Sequence, residues 1–178
     1  STGMVQSYLL EAPRLVSTVV GDRIGYLSSL REFAVIDRRP VAYKQPLGVP
    51  LHVEPAFAGL GPDHLAVGMN NRVWFYALQD QGSSLIGERE YNSSVAQIWV
   101  NNSHSAALAD GKLYVDSLTQ DQNNFAPIIL PAEAQSRSAE RRITSCCMTI
   151  DFIFYGTTTG EACMYSTRDI REVDTHQF

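Results

Sequence analysis

A hairpin pattern recurs about every 40 residues along this chain of 178 residues. In each copy a short apolar run meets small or polar turn residues, and a second run with a partly alternating pattern follows. Strand-built repeats of about 40–45 residues are typical of the blades of WD-type β-propellers. The pattern therefore predicts a propeller, a fold that usually presents a platform for partners. The turns lie 40, 40 and 49 residues apart and centre near Leu30-Arg31, Asn70-Asn71, Asp110-Gly111 and Thr158-to-Gly160.

The predicted fold class is all-β, a partial propeller of about four four-stranded antiparallel blades with an incomplete opening blade. All 178 residues are assigned to one propeller domain. Seven blades of this period would need roughly 280–300 residues, so the chain is either an unusually small propeller or a piece of a larger one. The opening residues, Ser1 to Leu10, favour a piece because they are similar to the turn and third strand of a blade. The four blades are expected at about 15–45, 51–91, 95–131 and 143–178, with a surface insertion at about 119–142.

The turn chemistry is strongest at two of the hairpins. Asn70-Asn71 suits a tight turn because Asn tolerates positive φ, and Asp110-Gly111 is a strong hairpin signal. Gly59-to-Asp63 is a dense turn signal and is predicted to be a turn. The outer strands are expected at Val41-to-Tyr43, Leu85-to-Tyr91, Phe125-to-Leu130 and Arg168-to-Phe178.

Charge and hydropathy exclude several classes of protein. The net charge is −5, which does not favour nucleic-acid binding. No stretch approaches 18 apolar residues, so no membrane span is expected. The start of the chain lacks an initiator Met and a positively charged segment leading into a long apolar stretch, so no secretory signal is expected in this piece.

Three cysteines, Cys146, Cys147 and Cys163, fit a reducing compartment. A metal site would need CxxC or Cys/His spacing, which is absent, so we interpret them as small packing residues. Cys146 and Cys147 are neighbours in a predicted strand and are expected to point to opposite faces.

Four histidines, His52, His64, His104 and His176, are scattered along the chain without a metal-ligand pattern. His64 and His104 stand one period apart, just before equivalent strands. They could form a functional pair, but a repeated turn position is the favoured interpretation.

The remaining candidates for chemistry also favour a structural role. Gly156-to-Gly160 is rich in glycine but lacks the Lys and the following helix of a phosphate loop, so it is interpreted as a hairpin turn. Trp74 and Trp99 could be exposed hot spots, but both lie in predicted strands and are expected in the core. No catalytic, cofactor-binding or metal-binding residue is predicted, and the partner-binding residues stay unknown. Three arginines could contact an acidic partner, although a solvated loop is the favoured interpretation: Arg137, Arg141 and Arg142.

The stretch Leu65-to-Tyr76, with Asn-Asn-Arg at its centre, resembles one family. It is similar to the intraflagellar transport protein 144 family, the WD-repeat subunits of intraflagellar transport complex A. The resemblance runs from about Arg23 to about Asp174, and further blocks agree in the same order: Arg23-to-Glu32, Val53-Glu54-Pro55, Ser105-to-Leu108 and Phe154-to-Thr157.

The resemblance implies a place in the second of two N-terminal propellers, in a long protein that continues into helical repeats. It implies a non-enzymatic scaffold role in retrograde ciliary transport and in the entry of membrane-protein cargo into cilia. Implied partners are the other subunits of complex A and cargo or its adaptors, at the cilium or flagellum and basal body, on the cytoplasmic side. No cofactor is expected. The alternatives are a propeller of a vesicle-coat complex and, with less support, a propeller enzyme.

An incomplete ring has a physical consequence. Each repeat buries its core against its neighbours, so the end blades of an open array leave faces and strand edges uncovered. We therefore expect this piece on its own to associate with itself.

Overall fold

The computed structural model describes residues 17–37, 46–119, 126–131 and 141–178. These residues form four antiparallel four-stranded sheets and no helix. The incomplete opening blade and the Val41-to-Tyr43 strand lie outside the described residues, as does most of the 119–142 insertion.

Each sheet is a meander in which consecutive strands pair. Sheet 1 contains β1 (Ser17–Val20), β2 (Arg23–Ser29), β3 (Glu32–Asp37) and β4 (Leu47–Pro50). Sheet 2 contains β5 (Phe57–Leu60), β6 (His64–Met69), β7 (Arg72–Gln79) and β8 (Gly82–Glu90). Sheet 3 contains β9 (Val95–Val100), β10 (His104–Ala109), β11 (Lys112–Ser117) and β12 (Ile128–Leu130). Sheet 4 contains β13 (Ile143–Met148), β14 (Phe152–Thr157), β15 (Glu161–Ser166) and β16 (Arg171–Gln177).

The first strands of the four sheets lie in one row. β5 packs beside β1 and β9, and β9 in turn lies beside β13. The fourth strand of each sheet forms its opposite edge. This is the arrangement of sheets placed radially around an axis, with the first strand of each nearest that axis.

The four predicted turns join the second and third strands of the four sheets. Asn70 has a φ of 56°, and Gly160 has a φ of 81°. At Asp110-Gly111 both central residues have positive φ, 49° and 72°, as a type I′ hairpin turn requires. The four turn predictions are confirmed, since each turn lies between the second and third strands of its sheet. At three of them Asn, Asp or Gly adopts the positive φ that these residue types tolerate.

The repeat is also visible in the backbone hydrogen bonds at the turns between the first and second strands. The N–H of Gly61 donates to the carbonyl of His64 at 2.8 Å, and that of Asn101 donates to His104 at 2.9 Å. Thr149 and Phe152 make the same bond in sheet 4 at 2.8 Å. Three sheets therefore share one turn geometry despite different sequences.

Three predictions about element bounds need correction. Gly59 and Leu60 belong to β5 and not to a turn, which begins only at Gly61. A Cβ on Gly59 would lie 2.7 Å from the Ile98 carbonyl oxygen, so the glycine allows β5 to approach β9 closely. The outer strand of sheet 1 is β4, whose bounds include Gly48 and Pro50, and β8 begins at Gly82, ahead of the predicted Leu85.

The core lies between neighbouring sheets. Leu27 and Phe33 of sheet 1 pack with Leu65 and Trp74 of sheet 2. A second cluster joins sheets 2 and 3 around Phe75, and a third joins sheets 3 and 4. Neighbouring sheets thus stabilise one another through their faces, as in a repeat array. In the part of the chain that the structure describes, no helix is long and apolar enough to cross a membrane.

Candidate interaction surface

A buried carboxylate links sheet 3 to sheet 2. Asp116 on β11 is fully buried, and its Oδ1 lies 2.8 Å from Nε of Arg89 on β8 in an ion pair. The Tyr91 hydroxyl donates to Oδ2 at 2.8 Å. Burial raises the pKa of Asp116, while Arg89 and the Tyr91 hydrogen bond oppose that shift. Burial also raises the pKa of Tyr91. Arg89 lies on β8 of sheet 2 and Tyr91 follows directly after that strand, so the cluster joins two blades.

An asparagine side chain links sheet 3 to sheet 4 through hydrogen bonds. The buried Asn101 follows β9, and its Nδ2 donates to the carbonyls of Thr149 and Ile150 at 3.0 and 2.8 Å. Its Oδ1 accepts hydrogen bonds from the backbone N–H groups of Ser103 and His104 at 3.0 and 2.7 Å. The side chain thus joins the equivalent turns of two sheets.

The predicted loop arginines are held within the chain. Nε of Arg141 lies 2.6 Å from Oε2 of Glu161, and Nη2 of the same guanidinium donates to Sγ of Cys163 at 3.0 Å. Nη2 of Arg142 lies 2.8 Å from Oδ1 of Asp110. Both arginines thus form ion pairs within the chain. The Arg142 side chain is 44% exposed and keeps the predicted solvated position, whereas Arg141 is 23% exposed. Arg137 lies outside the described residues.

His64 and His104 occupy equivalent positions, each at the start of the second strand of its sheet. Burial lowers the pKa of both imidazoles, and the nearby Asp63 opposes the shift at His64. Nδ1 of His104 is hydrogen-bonded to the Ser103 hydroxyl at 2.8 Å. Both are half-buried, and their equivalent places agree with a repeated turn position.

His52 and His176 lie elsewhere in the fold. His52 is in the segment after β4. His176 is on β16, and the centroids of its ring and the Phe178 ring are 5.3 Å apart. Among the described residues, no three His, Cys, Asp or Glu side chains are grouped so as to hold a metal ion.

The three cysteines are free thiols in different environments. Cys147 is exposed, Cys146 is half-buried and Cys163 is buried in the cluster between sheets 3 and 4. The alternation on β13 places Cys146 and Cys147 on opposite faces, as predicted. Burial raises the pKa of Cys146 to about 12, so this thiol stays protonated near neutral pH.

The glycine-rich and aromatic candidates are structural. Gly156-to-Gly160 ends β14 and forms the turn into β15, so it has the predicted hairpin role. Trp74 is buried between sheets 1 and 2, and Trp99 packs against the cluster between sheets 3 and 4. The predicted core packing of both tryptophans is confirmed.

Exposed side chains gather at the turns between the second and third strands. We define the turn face by Leu30, Met69, Asn70, Asp110 and Thr159, all at these four turns and all exposed. Leu30 is 59% exposed and Met69 is 41% exposed. Apolar contact beside hydrogen-bonding groups is the chemistry of protein recognition. Sequence reasoning assigned no partner-binding residue, although an apolar residue directly beside a polar turn is a signal that could have found Leu30 and Met69.

A family profile described as the WDR19 second beta-propeller matches residues 24–178. Human WD repeat-containing protein 19 is 32% identical to the chain over 179 residues, covering 98% of the chain and 13% of the relative. The mouse protein of that name is 33% identical, covering 89% of the chain and 12% of the relative. WD repeat-containing protein dyf-2 of Caenorhabditis elegans is 24% identical, covering 93% of the chain and 13% of the relative. The chain thus spans about an eighth of the length of these curated relatives.

The β-propeller domain of Cps50 (Swd1) from Myceliophteria thermophila superposes with a TM-score of 0.60 at 15% identity, covering 88% of this chain and 52% of that one. The computationally designed Ika8 protein superposes with a TM-score of 0.56 at 11% identity, covering 90% and 48%. These likenesses confirm the propeller fold. WD-repeat propellers are generally scaffolds without catalytic activity. With all four sheets inside or overlapping the matched range, the chain belongs to the WDR19 second beta-propeller family.

Proposed function

We propose that this chain is a non-enzymatic protein-interaction scaffold within intraflagellar transport complex A, in the second propeller of an intraflagellar transport protein 144. The observation that carries the proposal is the family match over residues 24–178. It is supported by three polar side chains whose contacts lie within the propeller. Asp116, Asn101 and Arg141 form ion pairs or hydrogen bonds between or within blades. Such contacts hold the blades in fixed positions, and the exposed turn face is then free to bind partners.

The full-length protein would act in retrograde transport along the ciliary axoneme and in the entry of membrane-protein cargo into cilia. Its partners would be the other subunits of complex A and cargo or cargo adaptors. It would reside in the cilium or flagellum and at the basal body, on the cytoplasmic side. The resemblance supports this role most clearly at Leu65-to-Tyr76, which forms the β6–β7 hairpin with Asn70-Asn71 at its turn.

The turn face is the surface that would meet a partner. Leu30 and Met69 present exposed apolar side chains on adjacent blades. Apolar groups that become desolvated at the centre of an interface contribute most of the binding energy. A charge placed there would therefore weaken binding while leaving the buried clusters between sheets intact.

Affinity capture from ciliated cells tests the proposal. The tagged full-length protein is expected to recover complex A subunits, and the double variant Leu30→Glu/Met69→Glu is expected to recover less of at least one of them. The matched control is Ile129→Glu, an exposed apolar residue on β12 away from the turn face, which should recover them fully. Recovery of vesicle-coat subunits without complex A subunits would overturn the proposal and favour the coat alternative.

A further inference from the structure

The outer strand of sheet 2 is longer than the outer strands of the sheets on either side. β8 (Gly82–Glu90) has 9 residues, whereas β4 of sheet 1 has 4 and β12 of sheet 3 has 3. Sheets 1 and 3 cover the two faces of sheet 2 through the clusters that contain Trp74 and Phe75. β8 therefore lies at the outer edge of a sheet whose two faces are both occupied.

The outward edge of β8 presents backbone hydrogen-bonding groups. In an antiparallel sheet, part of the N–H and C=O groups of an edge strand point away from its one partner. β8 pairs with β7, and among the described residues no backbone hydrogen bond joins it to another strand. Proteins commonly protect such edges with short strands, lysine or proline. β4 ends on Pro50 and β12 is followed by Pro131, but β8 contains neither Lys nor Pro, so its edge can accept a further strand.

Two neighbouring apolar side chains are exposed in the middle of β8. Leu85 is 46% exposed and Ile86 is 37% exposed. The register shift between Phe75 and Tyr76 leaves Ile86 without a paired residue on β7, as in a β-bulge. The apolar pair thus lies where two paired runs of the strand, 82–85 and 87–90, meet. Desolvation of such side chains would stabilise a segment bound along the edge.

The accessible charge of β8 is negative. Arg89, the one basic residue of the strand, is paired with the buried Asp116. Arg72 on β7 is paired with Glu90 at 3.1 Å, and Glu88 is exposed beside them. Opposite charges on adjacent strands attract one another, and like charges repel. A strand that pairs with β8 is therefore expected to carry Lys or Arg among its apolar residues.

We propose that the outer edge of β8 binds an extended, basic segment of a partner protein as a fifth strand of sheet 2. Main-chain hydrogen bonds provide the pairing, Leu85 and Ile86 contact the apolar residues of the segment, and Glu88 attracts its cations. The site lies on the rim of the propeller, apart from the turn face. It does not depend on the ciliary role proposed above.

Binding of a designed strand tests the proposal. The probe is a fluorescently labelled peptide of the length of β8 in which lysine and valine alternate, measured by fluorescence anisotropy with the purified full-length protein. The matched control peptide has the same sequence with alternate backbone amides N-methylated, which keeps the charge but removes N–H donors. It should bind about tenfold more weakly, because strand pairing needs those donors. Equal binding of the two peptides, or no binding of either, would overturn the proposal.

Two variants test whether the peptide binds at β8. Leu85→Lys and Glu88→Lys each add positive charge to the edge and should weaken binding of the unmethylated peptide about tenfold. Ile129→Lys on β12 is the matched control for Leu85→Lys, and Asp151→Lys, in the turn after β13, is the control for Glu88→Lys. Both controls change exposed residues away from β8 and should bind the peptide normally. Unchanged binding in both β8 variants would contradict the assignment.

Hydrogen exchange provides a measurement that needs no variant. The backbone amides of β8 should exchange more slowly when the peptide is bound, whereas those of β12 should not change. Unaltered exchange in β8 would count against the inference. Light scattering of the full-length protein without peptide tests a different occupant, a second copy of the chain. A dimer that Leu85→Lys converts to a monomer would show that β8 pairs with itself, and the proposed partner segment would then be wrong.

Discussion

Ile170 holds a left-handed backbone conformation, with a φ of 53°, in the turn between β15 and β16. A left-handed backbone costs L-residues about 1–2 kcal/mol, and the cost is greatest for β-branched side chains. The side chain is exposed, so little packing offsets this cost. Ile170→Gly should therefore raise the free energy of unfolding by about 1 kcal/mol, measured by urea denaturation.

Ile150→Gly is the matched control for this prediction. Ile150 is also an exposed isoleucine in a turn of sheet 4, but its φ is not positive. Glycine at this position relieves no backbone strain and increases the conformational entropy of the unfolded chain, so the free energy of unfolding should fall slightly. Equal effects of the two substitutions would show that the backbone at Ile170 is not strained.

The partly buried imidazoles of His64 and His104 are expected to make the stability of the fold depend on pH. Burial lowers the pKa of both, so the unfolded chain binds protons below about pH 6.5 that the folded chain does not. This contribution to stability is complete above about pH 6.5 and is lost as the pH falls toward the lowered values. The free energy of unfolding should decrease between about pH 7.5 and about pH 5.5.

The double variant His64→Gln/His104→Gln should flatten this pH dependence, because glutamine does not titrate. The check is a series of denaturation curves for both chains across that pH range. An equally steep decline in the double variant would assign the effect to other groups.

At the scale of elements, the hairpins were predictable because each depends on residues next to one another. Asn70 and Asp110-Gly111 adopt positive φ through their own chemistry, and each turn lies where the sequence places it. Gly59 looked like part of a turn for the same local reason. Its actual role depends on Ile98, which is distant in sequence and meets it only after β5 and β9 pack together.

The contacts between sheets were not predictable from the sequence. Arg89, Tyr91 and Asp116 lie on two sheets, and no motif or spacing signals their meeting. The ion pairs of Arg141 and Arg142 were likewise not predictable, because their partners Glu161 and Asp110 lie on other strands or turns. Long-range pairing of charges follows from the stacking of blades, which the repeat predicts only in outline.

Asp116 should be essential to the contact between sheets 2 and 3. Asp116→Ala removes the acceptor of the buried Tyr91 hydroxyl and the partner of the Arg89 ion pair. Breaking a buried pair of this kind typically costs about 3 kcal/mol or more. Thermal unfolding should show a large decrease in the melting temperature.

Glu90→Gln is the matched control for Asp116→Ala. Its ion pair with Arg72 is also between strands, but both side chains are exposed, so solvent screens it. The melting temperature should hardly change. A similar loss in the two variants would contradict the view that burial makes the Asp116 cluster important.

At the scale of the whole molecule, four stacked sheets place the contacts of Asp116 and Asn101 between blades and leave the turn face exposed. The repeat spacing predicted this architecture, because a 40-residue unit cannot bury its own core alone. It did not predict that Leu30 and Met69 are exposed, since their exposure depends on how the blades are arranged.

Live imaging of the fluorescently tagged full-length protein in ciliated cells tests the proposed scaffold role in ciliary transport. The protein is expected to enter the cilium and to move along the axoneme, including movement from the tip toward the base. Ile129→Glu should behave in the same way, because it alters an exposed residue away from the turn face. A protein that stays on vesicles of the cell body and never enters the cilium would contradict this role.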